Sequence, residues 1–176
     1  MSESTAPVAN VFDVDEHGIL TGFNGIPLTQ EGADQIHSIT IGDYNTWTTF
    51  HLIPKTRPLV KPPEPQTEFV DIPGSDSPLD YTQAIDGNVH YKMRTGTWEF
   101  IAPPDGYSAP NRQSRIMRFI GKDKVAVTLN DDPDYYYVGR VWLTDWKSED
   151  QYSTLTFKYQ LEPYKVKASD ETIRRL

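Results

Sequence analysis

Tyr135-Tyr136-Tyr137-Val138-Gly139-Arg140-Val141-Trp142-Leu143-Thr144-Asp145-Trp146 is the run whose reading decides the fold class. At the two-residue period of a strand, Tyr135, Tyr137, Val141 and Leu143 fall on one face, and Tyr136, Val138, Trp142 and Trp146 on the other. A strand apolar on both faces is either sandwiched or covers a partner chain. The runs on either side have one wet face. Val125, Val127 and Leu129 alternate with Lys124, Ala126 and Thr128 before Asp131-Asp132-Pro133-Asp134 turns the chain. Lys147-Ser148-Glu149-Asp150 turns it again, and Leu155, Phe157, Tyr159 and Leu161 alternate with Thr154, Thr156, Lys158 and Gln160. Three antiparallel strands in a meander are predicted.

Working outward, Val89, Tyr91 and Met93 sit on odd positions, whereas Trp98 and Phe100 sit on even ones. A one-residue bulge near Arg94 to Gly96 would make that phase change. Ser108-Ala109-Pro110 opens a predicted helix that runs to Phe119 or Ile120 and stops at Gly121. Ile39 to Asp43 and Trp47 to Ile53 read as a strand pair around a turn at Gly42 to Asn45. Between residues 54 and 78 the prolines 54, 58, 62, 63, 65, 73 and 78 remove too many N–H donors for a central strand or helix. This segment is expected to be an excursion, polyproline-like or an edge-strand arm, and so long an irregular loop needs a role. Residues 1–37 read as a mostly extended N-terminal arm with a short hairpin around Asp15 to Gly18. Residues 38–165 form the predicted β domain, with the 54–78 arm inside it, and 166–176 a C-terminal tail. The expected architecture is mainly β, a sandwich or split barrel of about eight strands with one α-helix packed on it.

The length of 176 residues fits one domain. A hydrophobic fraction of 37% is low, but 12% aromatics supply the large side chains that a disordered chain lacks. Asp and Glu total 25 against 17 Lys and Arg, a net charge of −8 that gives nucleic acid no bulk attraction. Cysteine is absent from the sequence, which removes disulfides, thiol nucleophiles and thiolate metal sites. No apolar run approaches the ~20 residues of a membrane helix. The N-terminus has neither the basic nor the apolar region of a secretion signal. No membrane insertion is expected.

Several constellations carry chemistry in principle. Asp131, Asp132 and Asp134 offer oxygen ligands for a hard cation, against the simpler reading of a β-turn. His17, His37, His51 and His90 lack metal-site or triad spacing and read as packed or surface histidines. Glu99 and Asp131 are a conceivable glycosidase pair, but with 25 acids such pairs arise by chance. No nucleophile elbow, phosphate loop or dinucleotide fingerprint is present. A non-enzymatic protein without cofactors is expected. Arg112, Arg115, Arg118 and Lys122 recur at helical spacing as a basic stripe, read as a solvated face or an interprotomer ion-pair surface. Tyr135, Tyr136, Tyr137, Trp142 and Trp146 suit core and subunit packing, with a sugar-stacking platform as the alternative.

Ile41-Gly42-Asp43-Tyr44-Asn45-Thr46-Trp47, Leu52-Ile53-Pro54 and Arg57-Pro58 together resemble the opening of a distal tail protein of long-tailed bacteriophages and prophages. The similarity continues through Val70-Asp71-Ile72-Pro73-Gly74, Leu79-Asp80, Tyr91, Arg94-Thr95-Gly96-Thr97-Trp98-Glu99-Phe100, Asp131 to Arg140, Trp146-Lys147-Ser148 and Glu162-Pro163-Tyr164-Lys165. This resemblance implies a β-sandwich related to tail tube subunits, and a hexameric ring at the distal end of the virion's tail, built from chains made in the host cytoplasm. It further implies a tail tube protein and a tail hub protein as partners, with DNA as passing cargo in the lumen. Many relatives carry a carbohydrate-module-like second domain, for which the sequence to Leu176 shows no counterpart, so ring formation is expected before glycan binding. Arg57, Pro58, Ile72, Pro73, Arg112, Arg115, Tyr136, Trp142 and Trp146 are the candidate subunit-interface residues. A carbohydrate-binding module for host-surface adhesion is the alternative function.

Overall fold

The computed structural model describes residues 12–84, 86–121, 123–149 and 151–169. In chain order these form β1 (Phe12–Val14), β2 (Leu20–Phe23), β3 (Ile26–Pro27), α1 (Gln30–Gln35), β4 (Ile39–Ile41), β5 (Tyr44–Asn45) and β6 (Ile53–Pro54). There follow β7 (Phe69–Val70), β8 (Leu79–Asp80), β9 (Arg94–Ala102), α2 (Ala109–Phe119), β10 (Val125–Leu129), β11 (Tyr135–Ser148), β12 (Ser153–Leu161) and β13 (Val166–Lys167). The molecule is mainly β. Its principal sheet is antiparallel in the order β5-β4-β10-β11-β12-β9-β6, with β13 added beside the start of β11. Its outer strands β5 and β6 do not pair with each other, so the sheet is sandwich-like rather than a closed barrel.

The predicted meander is β10-β11-β12, and its period-2 pattern becomes its burial pattern. Every second residue of β12, from Ser153 to Leu161, is buried. Register pairs Leu155 with Phe100, Phe157 with Trp98 and Tyr159 with Gly96 on β9. These strands' side chains meet Ile39, Ile41, Val127 and Val141 in one core, which Ile116 of α2 and Ile120 just beyond it complete. At about 1.5–3 kcal/mol per fully buried large apolar side chain, this face of the sheet supplies the main driving force for folding.

Three details differ from the sequence reading. No bulge occurs at Arg94 to Gly96, where β9 and β12 pair in unbroken register. The change of phase is the start of β9, since Val89, Tyr91 and Met93 precede it. A bulge occurs instead in β11 between Leu143 and Asp145, moving Trp146 opposite Leu155 and against the core, on the face of Leu143 rather than the face opposite. The segment Trp47 to Ile53 is not a continuous strand. Asn45 Oδ1 accepts the N–H groups of Trp47 at 2.8 Å and Thr48 at 3.2 Å, and this local competition turns the backbone before β6 begins.

Where an extended arm is expected, residues 12–36 carry the predicted hairpin, the further strand β3 and the short second helix α1. Phe12, Phe23 and Ala33 pack around the buried Trp47, whose indole N–H donates to the Pro27 carbonyl at 2.8 Å. At Gly32 a Cβ would stand 1.8 Å from the Pro27 carbonyl oxygen, so only glycine allows α1 to approach so closely. Residues 1–11 and 170–176 lie outside the described residues.

Candidate interaction surface

The chain leaves the principal sheet after β6 and returns at Arg94, and the residues between form a separate antiparallel ribbon. Lys92 N–H donates to Glu64, Gln66 N–H to His90 and Tyr81 N–H to Glu68, each across the ribbon, and β7 pairs with β8 beyond them. Backbone pairing therefore gives the ribbon its form. It has almost no core: among the described residues of 61–93, only Pro63, Thr82 and Val89 are even half-buried. Phe69, Val70, Ile72, Leu79, Tyr81 and Met93 are exposed, Phe69 by 57%. A two-stranded ribbon alone in water is marginal at best, and this one presents apolar side chains to solvent.

The root is clamped. Trp98 Nε1–H donates to the Leu59 carbonyl at 2.9 Å, and the Tyr159 hydroxyl accepts the Lys61 N–H at 3.0 Å. Arg94 donates to the Lys61 carbonyl at 3.1 Å and the Pro163 carbonyl at 2.7 Å. Arg57 Nε–H donates to Asp131 Oδ2 at 2.7 Å, while His37 meets the other oxygen of the same carboxylate at 2.5 Å. Partial burial pushes the Asp131 carboxyl up, but the Arg57 and His37 hydrogen bonds outweigh it and hold the group below the usual carboxylate range. The arm thus projects from a fixed base.

The interface candidates scatter over this frame. Ile72 and Pro73 lie exposed at the ribbon tip, where the Ser75 N–H closes a turn on the Ile72 carbonyl and Gly74 has a φ of 84°. Arg57 is exposed at the root, whereas Pro58 beside it is buried. Tyr136 is buried with its hydroxyl unpartnered among the described residues, Trp146 packs on the core, and Trp142 is half-buried near Lys158. Arg112 does not belong to a solvated stripe. It is buried, pairs with Asp105 Oδ2 at 3.2 Å, and donates to the carbonyls of Pro103 at 2.5 Å and Phe50 at 3.2 Å, so its guanidinium is spent inside the chain. Arg115 remains exposed, and Lys122 lies outside the described residues. The surface thus contains Arg57, Ile72, Pro73 and Arg115, but not Pro58, Arg112 or Tyr136.

Other readings resolve on the same geometry. Asp131-Asp132-Pro133-Asp134 is a turn in which Asp131 engages Arg57 and His37 and Asp132 engages Lys165 at 2.8 Å. The described residues contain no group of three or more potential metal ligands. Along the aromatic strand, Lys165 lies 4.3 Å over Tyr135 and Arg94 5.3 Å over Tyr137, Tyr136 is buried and Trp146 packs on the core, so Trp142 is the half-exposed aromatic on its other face. No described helix is long and apolar enough to cross a membrane. Sequence reasoning missed the Trp98–Tyr159–Arg94 clamp and the Asp105–Arg112 pair, which depend on contacts between distant segments.

No protein-family model matches the sequence, and no curated relative matches it. Among solved structures, the Dit protein of phage SPP1, described as a paradigm of the hub adsorption apparatus in phages infecting Gram-positive hosts, superimposes with a TM-score of 0.57 at 14% identity. The two chains share a fold. The match covers 75% of this chain and 52% of the SPP1 protein, so this chain spans about half of that protein's length. The described part of this chain is mainly β.

Proposed function

We propose that this chain is a structural subunit of a phage tail tip, which assembles through its arm into a hexameric ring joining the tail tube to the hub and passing DNA through the lumen. The observation that carries the reading is the arm of residues 61–93, ordered by backbone pairing and clamped at its root, yet lacking a core. Phe69, Val70, Ile72 and Leu79 are about half-exposed, so covering them on a neighbour supplies about half of the ~1.5–3 kcal/mol that full burial of each gives, near the lower end of the ~4–15 kcal/mol that association costs. The likeness to SPP1 Dit and the resemblance to distal tail proteins support a tail-tip location in the virion, with the tube and hub proteins as partners. The negative charge suits a conduit, since like-charged walls repel phosphate.

Light scattering with negative-stain electron microscopy tests this directly. Rings of about six subunits are expected, and the triple variant Phe69→Ser, Ile72→Ser, Leu79→Ser should remain a folded monomer because all three side chains are exposed. A wild-type chain that stays monomeric at every concentration, even with neighbouring tail proteins added, would overturn the proposal.

A further inference from the structure

Between the β1–β2 turn and the loop leading into α2 lies an open cleft of about 500 Å³. We propose that it binds a small oxyanion, a phosphate or carboxylate group, through Arg115 and His51 beside Tyr107, with Ile19 and Leu20 contacting whatever apolar group the anion carries.

The charges lining the cleft point to an anion. Asp105 is the one acid among the described residues lining it, and that carboxylate is already engaged: Oδ2 meets His51 Nδ1 at 3.0 Å and Arg112 Nε at 3.2 Å, and Oδ1 accepts the Tyr107 N–H at 3.2 Å. Arg112 neutralises Asp105, so Arg115 adds a cation with no ion pair or hydrogen bond among the described residues. In a chain of net charge −8, an unopposed guanidinium beside a satisfied acid makes a local positive site.

The imidazole is oriented for the same task. Its Nδ1–H donates to a carboxylate only 3% exposed, and Nε2, without a partner among the described residues, becomes a second donor for an anion when the ring is protonated. His51 also holds a φ of 56°, a left-handed conformation that Gly or Asn adopts at lower cost, and such strain concentrates at ligand sites. His37 provides the control within the molecule. It has the same φ of 56° and pairs with Asp131, but there Arg57 takes the second carboxylate oxygen and the counted charges are consumed. Of these two clusters, the His51 cluster has a further cation, Arg115, at its cleft, without an ion pair among the described residues.

Inorganic phosphate and acetate, each titrated into the full-length protein at ionic strength held constant with sodium chloride, test the site by two-dimensional NMR. Saturable shifts at the Tyr107 amide and the His51 and Arg115 side chains are expected with either anion, and the tighter one identifies the oxyanion. Arg115→Gln should weaken binding by about tenfold or more, the loss of one charge-assisted hydrogen bond, without changing the melting temperature. His51→Asn, which accepts the left-handed backbone, should weaken binding similarly. Shifts that never saturate, shifts that chloride reproduces, or equal affinity in the folded Arg115→Gln variant would overturn the proposal.

Discussion

At Gly96 a Cβ would stand 2.3 Å from the Tyr159 hydroxyl and 2.6 Å from the ring carbon that bears it. The ring has little room to yield, because it is 1% exposed, stacks on Trp98 at a centroid distance of 4.2 Å and accepts the Lys61 N–H. Gly96→Ala is therefore expected to cost about 1–3 kcal/mol as overpacking, read from the urea midpoint. An unchanged midpoint would mean that the ring swings aside. A second residue-scale expectation concerns Asp105. Burial pushes its carboxyl up, but the His51 hydrogen bond and the Arg112 charge together hold it below the usual carboxylate range. The folded state thus binds its proton at lower pH than the unfolded chain. The resulting stabilisation is complete above the unfolded value of about 3.9 and is lost as pH falls through the folded one. Asp105→Asn should lower stability at neutral pH by about 3–5 kcal/mol, since Arg112 is left buried without its counter-charge, and should flatten the acid limb of the stability curve. Urea unfolding from pH 7 to pH 2 measures both, and an acid limb as steep as the wild type's would refute the assignment.

The arm behaves as an element separable from the sheet. Arg94 donates to the Lys61 carbonyl at 3.1 Å, so the two ends of the ribbon already meet and a short Gly-Ser linker can replace residues 62–92. Closing a shorter loop costs less entropy, by about 0.6 kcal/mol per halving of length, and the ribbon buries almost nothing that would be lost. The deletion should unfold at or slightly above the wild-type temperature while abolishing association. A large fall in melting temperature would show that the arm supports its own subunit. Element by element, the sequence was legible where a period ran long enough to show. β12 alternates over nine residues, and α2 has a Ser108 cap, a proline in its first turn and Gly121 beyond its end. The β1–β2 hairpin showed in its turn residues, but β3, α1 and their packing escaped because these elements span two and six residues and cohere only around the distant Trp47. The β11 bulge escaped because apolar residues flank Thr144 on both faces, so slipping one position leaves the pattern intact. Helical spacing placed Arg112 and Arg115 on one face, but it carried no information on which of them Asp105 would meet. The prolines marked an excursion over 54–78, whereas the ribbon runs over 61–93, and its clamp was not legible, because Trp98 and Tyr159 look like ordinary core positions until Leu59 and Lys61 are brought beside them.

For the molecule as a whole, charge and apolar area make opposite demands on assembly. Each copy of the chain carries −8, so bringing copies together would concentrate like charge, whereas the arm offers apolar surface whose burial does not depend on salt in the same way. The screening length is about 30 Å at 0.01 M salt and about 10 Å at 0.1 M, so repulsion across subunits is strong at the first and much reduced at the second. If arm burial drives association, raising sodium chloride from about 0.01 M to about 0.5 M should strengthen it, because screening removes the repulsion and leaves the apolar contact in place. If ion pairs from exposed cations such as Arg57 hold the subunits instead, the same change should dissociate them. Sedimentation velocity across that salt range, on the wild type and the Phe69→Ser, Ile72→Ser, Leu79→Ser variant, separates the two. Assembly that grows with salt and vanishes in the variant assigns the interface to the apolar arm. Assembly that survives the triple substitution and falls with salt assigns it to charge, and the exposed apolar residues then need another partner.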